Sequence, residues 1–342
     1  MSIADREQLP AGAGAVAVPD VEAQDAGAVK ARGYWEQVWR RFRRDKAALV
    51  SGLFVIFLVL VAIVGAPIAS AVLGHGPNEL IRDGVRDFEP VGPMTTVTTN
   101  TGDKTIFILG AADTLGRDEF LRILYGARVS LIVAMIATFL GVGTGVLLGV
   151  IAGYYGGWAD TIVSRLTEIV MAFPFLLFAV ALAATIGPRL NDITFGGTLE
   201  PGIMSVTIVL SVFSWFYPAR IIRAQVLSLR EKEFIEAARM TGASNSRIMR
   251  SHLLPHLVGP IIVYSTLIIA TNILGEASLS YLGLGVEPPT ASWGALLETA
   301  SHFYLTQPWL MVWPGLAILL ATLAFNLLGD GLRDAFDPRG SR

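Results

Sequence analysis

The chain has 342 residues, of which 53% are hydrophobic and 16% charged, with a formal net charge of −2 and a mean hydropathy of +0.57. A soluble domain carries about 25% charged residues, so the deficit predicts a membrane protein, and the near-neutral balance provides no basic field for nucleic acid. The absence of Cys excludes disulfides, thiolate metal sites and Cys nucleophiles; four His without an HExxH pattern leave little for zinc, and no GxxxxGK[ST] occurs to cradle a nucleotide phosphate.

Residues 1–32 are rich in Ala, Gly, Pro and acids and lack the basic-then-apolar order of a secretory signal. They predict a disordered tail. The next stretch, GYWEQVWRRFRRDK (33–46), puts Tyr34, Trp35, Val38, Trp39 and Phe42 on one helical face beside Arg40, Arg41, Arg43 and Arg44. That pattern predicts an amphipathic helix lying in the membrane interface; an ordinary juxtamembrane anchor fits the same residues.

Crossing a hydrocarbon core of roughly 30 Å takes about 20 apolar residues in a helix. Six charge-free stretches meet this length, and they predict helices over about 48–72, 129–154, 165–187, 203–222, 256–278 and 308–329. With the N-terminus inside, 19 of the 26 Lys and Arg fall on the inner side. This predicts cytoplasmic termini and an inner location for the 220–250 insert. The first transmembrane helix is assigned to 47–73, an external segment to 74–128, five further helices to 129–332 and an inner tail to 333–342. Within the external segment, TTNTGDKT admits a short hairpin. The segment reads either as a polar external loop or as a docking surface for a substrate-binding protein.

The second span carries Gly141, Gly145, Gly149 and Gly153 at four-residue spacing. Such a row lets another helix approach closely, either from within the chain or from a second subunit. Glu168 and Glu276 lie at span ends, where a wet or protein-lined edge spares the cost of a charge in hydrocarbon; a proton relay is the alternative. Asp330, Arg333 and Asp334 have the spacing for pairing along a helix.

Between spans four and five lies EFIEAARMTGASNSRIMRSHLLPHL (233–257), with seven charged or titratable side chains. EFIEAARM predicts a short helix with a stripe of Phe234, Ala237, Ala238 and Thr241. Gly242 suits the left-handed residue that ends a helix, Ser244 the cap of the next, and Pro255 a boundary at the following span. Its predicted outward face is Ala237, Ala238, Gly242 and Ala243, with Glu236 for one directed contact. An amphipathic pair resting on headgroups is the bland alternative to a handle gripped by another protein.

Glu236, Ala237, Ala238, Gly242, Ile248, Leu254 and Pro255 together resemble the EAA loop of the membrane permeases of bacterial ABC importers. LGAADTLGRDEFLRILYGARVSL (109–131), GYYGGWAD (153–160), ASLSYLGLGVEPPTASWG (277–294) and PGLAILLATLAFNLLGDGLRDAFDPR (314–339) resemble the "C" permease of the dipeptide, oligopeptide and nickel branch. Two departures occur: Ala111-Ala112-Asp113 replaces the usual G-T-D, and Leu121 the usual Ser before Arg122. The resemblance implies an all-α, six-span, type I importer permease in the bacterial inner membrane, with a permease core at 129–332. It implies that Phe234, Glu236, Ala237, Ala238, Gly242 and Ala243, within a coupling loop at 226–255, contact an ATPase subunit. The implied partners are a second homologous permease, two ABC ATPases, an extracytoplasmic binding protein and the lipid bilayer, with no nucleic acid. ATP and Mg would reside on the ATPases, with no cofactor in this chain and no enzymatic step. Peptides are the implied substrate; nickel chelates and glycosides also fit this branch, and an ion-coupled secondary transporter is the rival from another class.

Overall fold

The computed structural model describes residues 34–190 and 201–337. The predicted tail at 1–32, the linker at 191–200 and the end at 338–342 lie outside the described residues.

The short helix α1 (Tyr34–Phe42) is followed by the spanning helix α2 (Lys46–Leu73). Asp45 caps α2, its carboxylate accepting the N–H groups of Ala47 and Ala48. Val38 of α1 is buried, while Tyr34 and Trp35 pack on Phe336 at the far end of the chain. Trp39 and both of those aromatics remain more than half exposed.

Residues 74–118 fold as a small cap that includes two antiparallel hairpins, β1 (Val85–Arg86) with β2 (Glu89–Pro90) and β3 (Thr95–Thr98) with β4 (Lys104–Phe107). The second hairpin is the one that TTNTGDKT admits. The described chain is therefore helical in the membrane but not strictly all-α. The cap has its own core of Ile81, Val91, Val97, Phe107 and Ala111. It is pinned to the next helix by His75, whose Nε2 lies 3.0 Å from Asp118 Oδ2. Asp118 in turn caps α3 through the N–H of Leu121.

Helix α3 (Glu119–Tyr155) has 37 residues, about 55 Å at 1.5 Å per residue. It takes in residues 119–128, assigned to the external segment on hydropathy alone. The helix begins at the cap and ends beside the insert, so these two features occupy opposite ends of the bundle. Four Gly on α3 meet α6 (Ile203–Leu229). A Cβ at Gly149 would sit 2.7 Å from the Ala219 carbonyl oxygen, and one at Gly153 2.8 Å from that of Arg223. The glycine row is thus the seam between two helices of the same chain.

The predicted third span is broken. Helices α4 (Gly157–Ala172) and α5 (Phe175–Leu190) meet at 94°. Pro174 lacks an N–H and forces the preceding residue out of the helical region, and Phe173 is extended at φ −91°, ψ 137°. Hydropathy registers apolar length, not this break. After the short helix α7 (Glu233–Met240) come α8 (Asn245–Tyr281), α9 (Trp293–Ser301) and α10 (Trp309–Phe336). Helix α10 extends past the predicted start of the tail at 333. Asp330, Arg333 and Asp334 on it form no ion pair with one another.

Small side chains dominate the core where the long helices cross. Ala127, Leu131 and Ala134 of α3 meet Ala270, Ile273 and Ala277 of α8 and Ile318, Ala321 and Phe325 of α10. Backbones come close there, as expected where packing rather than water exclusion drives helix association. Glu276 is fully buried at this crossing, accepting hydrogen bonds from Ser130 (2.8 Å) and Ser280 (2.7 Å). Its edge is protein-lined, and the Ser130 hydroxyl also accepts the Trp293 N–H at the start of α9.

Candidate coupling site

Helix α7 is anchored by Ile235 and Ala238, one turn apart and both buried. They enter a cluster with Val150 and Tyr154 of α3, Ile222 and Val226 of α6, and Leu253 and Leu257 of α8. The cluster therefore fixes α7 to three spanning helices at once. The predicted stripe of Phe234, Ala237, Ala238 and Thr241 is rotated from this. Ile235, not Phe234, leads the inward face, and Phe234 instead stacks on His256 with ring centroids 5.0 Å apart.

The end of α7 is a Schellman turn. The Ala243 N–H donates to the Ala238 carbonyl (3.0 Å) and the Gly242 N–H to that of Arg239 (2.9 Å). Gly242 stands at φ +80°, which a side chain adopts at a cost of roughly 1–2 kcal/mol. Ser244 then accepts the N–H of Arg247 and starts α8. Tyr154, at the end of α3, holds both sides of the turn. Its hydroxyl donates to Asn245 Oδ1 (2.8 Å), and the Arg239 guanidinium lies over its ring, 5.5 Å from the centroid.

Of the predicted contact residues, Glu236, Ala237 and Gly242 are exposed, whereas Ala238 is buried and Ala243 half-buried against the same cluster. The expectation that Ala238 faces outward is corrected: with Ile235 inward, a residue three positions later must share that face. Sequence reasoning missed Met240, which is 83% exposed and lies one turn beyond Glu236. An exposed Met on a short surface helix is an adaptable apolar contact, and no signal in the sequence alone singles it out, because its exposure shows only in the fold.

The link into α7 is also fixed. Arg230 donates to the Gly153 carbonyl at 3.1 Å, joining the end of α6 to the end of α3. Arg223 of α6 forks onto Asp160 of α4, with Nη2 to Oδ2 at 2.7 Å. The exposed face of α7 is thus carried on a braced platform joined to α3, α6 and α8.

Residues 145–342, over half the chain, match the family described as binding-protein-dependent transport system inner membrane component. The chain belongs to this family. Residues 33–80 match the N-terminal TM domain of oligopeptide transport permease C. The chain is 41% identical over 305 residues to the glutathione transport system permease protein GsiD of Escherichia coli O6:K15:H31 (strain 536 / UPEC), covering 89% of this chain and 90% of that protein. The GsiD of Shigella boydii serotype 4 (strain Sb227) gives the same identity and coverage. A solved structure of the MetNI methionine ABC transporter in inward facing conformations aligns with a TM-score of 0.50 at 19% identity, covering 64% of this chain and 97% of that one. That likeness concerns the fold alone.

The protein is therefore a multi-pass membrane permease of an ABC importer in the oligopeptide-type branch, with the type I permease fold. It is a transport component, not an enzyme. A permease of this family works with a second permease, ATPase subunits and a substrate-binding protein.

Proposed function

We propose that the chain is one half of a peptide importer in the bacterial inner membrane, driven through α7 by ATPase subunits that supply all of the ATP and Mg chemistry. The observation that carries this reading is the division of α7 into a buried anchor, Ile235 and Ala238, and an exposed face, Glu236, Ala237, Met240 and Gly242. A surface helix fixed to three spanning helices can transmit force. On this reading Glu236 gives a directed polar contact, Ala237 and Gly242 permit close approach, and Met240 fills a shallow apolar site. Phe234 and Ala243 support the face from beneath.

The assembly has this permease, a second homologous permease, two ABC ATPases and an extracytoplasmic binding protein that docks at the end bearing the cap. The path for substrate runs between the two permeases. Both termini and α7 face the cytoplasm, with α1 in the inner leaflet, consistent with the 19 of 26 Lys and Arg that this topology puts inside. Peptides are the substrate class, supported by the match to an oligopeptide permease domain at 33–80 and the 41% identity to a glutathione permease.

Proteoliposome uptake tests the reading. The assembled complex should import tri-alanine or glutathione only with ATP inside and binding protein outside. Uptake by the permeases alone, driven by an ion gradient, would refute it.

A further inference from the structure

We infer that the groove between α4 and α6 is a binding site on the translocation pathway for a zwitterionic peptide, with Arg220 receiving its carboxylate and Glu168 its ammonium. The inference rests on the peptide reading above and gives it specific residues.

Helix α4 has two faces. Asp160, Ser164, Thr167, Glu168 and Met171 fall within one arc of about 100°, by the 100° per residue of a helix. Ile162, Leu166 and Ile169 fall on the opposite side and are all exposed. The apolar side suits lipid or a second permease. The polar side, with Arg220 and Arg223 of α6, lines a groove of about 320 Å³, at the lower end of the roughly 300–1,000 Å³ usual for small-ligand sites.

Most polar groups here are already committed. Arg223 forks onto Asp160, the Ser164 hydroxyl donates to Asp160 at 3.4 Å, and that of Thr167 donates to the Ser164 carbonyl at 2.8 Å. Two charges are left for a ligand. Among the described residues Arg220 has no acidic partner. Glu168 is held only by Arg165, one turn back, in an exposed pair at 2.6 Å, an interaction of about 0–1 kcal/mol that a ligand ammonium readily replaces.

Arg165, Arg220 and Arg223 are among the 19 Lys and Arg that the proposed topology puts on the inner side, so the groove lies at the cytoplasmic end of the bundle, where its charged wall faces water or protein. Opposite charges on opposite walls match the two ends of a small peptide, and the planar guanidinium suits a carboxylate held by two parallel hydrogen bonds. Arg220 also lies on the helix that ends at Leu229, four residues before α7 begins. Occupancy of the groove thus bears on the same element that carries α7.

The test uses the complete transporter in phosphatidylcholine–phosphatidylglycerol vesicles, with tri-alanine and glutathione as probes. In R220A and E168Q, the peptide moved per ATP hydrolysed should fall at least tenfold, R220K should fall less than R220A because it keeps the charge but loses the fork, and the second permease co-purifies in all three. Unchanged uptake in R220A and E168Q would overturn the assignment. So would loss of the second permease from R220A, which would make the groove a subunit seam. Wild-type complex that imports neither probe would instead refute the peptide reading, and the site with it.

Discussion

A single methyl group separates tolerated from disruptive changes at several positions. Gly149 and Gly153 touch the backbone of α6, so G149V should cost about 1–3 kcal/mol as an overpacked seam, lowering the unfolding temperature in detergent. Ala237 and Ala238 are neighbours with opposite surroundings. A237W should leave that temperature unchanged and abolish co-purification of the ATPase subunits, whereas A238W should lower the temperature itself. The Gly242–Ser244 turn was legible in sequence because left-handed backbone and helix capping are local demands. The inward side of α7 was not. Phe234 and Ile235 both begin an apolar stripe at helical spacing, and the choice between them is made by Val150, Ile222 and Leu257, far away in the chain. Met240 escaped notice for the same reason: its exposure depends on what does not pack against it.

At the level of elements, the glycine seam settles the open question of what the row serves, and the broken third span adds a feature that hydropathy cannot register. Pro174 was visible, but a Pro also fits the first turn of a continuous span, and only the extended Phe173 and the 94° bend distinguish the two. The cap was legible as one hairpin within a polar segment. Its tie to α3 was not, since His75 and Asp118 are 43 residues apart. Burial disfavours the charged His75 imidazole, but the hydrogen bonds to Asp118 and the Leu73 carbonyl, with the Asp118 charge, outweigh that and raise its pKa above the ordinary 6.5. A raised value means that the charged pair stabilises the cap fully below pH 6.5 and loses that contribution as pH rises through the folded value. Hydrogen exchange in residues 74–118, corrected for intrinsic rates, should therefore be slowest below pH 6.5 and quicken above it. In H75Q the protection should no longer change across that range.

For the molecule as a whole, six apolar lengths and the distribution of Lys and Arg carried the span count and the proposed orientation, because both depend on transfer into a membrane rather than on tertiary contacts. What hydropathy left blank was the use of polar groups within the bundle: the buried Glu276 network, the exposed pair of Glu168 with Arg165, and the single charge of Arg220. These acquire meaning only once helices are set side by side. In the proposed mechanism the bundle is a lever with the cap at one end of α3 and α7 at the other, joined by about 55 Å of helix. That mechanism requires a motor subunit to grip the exposed face of α7. The chain has no native Cys, so E236C introduces a single thiol. Paired with a Cys in the ATPase cleft and cross-linked across the nucleotide cycle in an intact, importing complex, it should give a permease–ATPase adduct whose yield changes between ATP-bound and nucleotide-free states. An intact, importing complex that gives no such adduct in any nucleotide state would contradict the account.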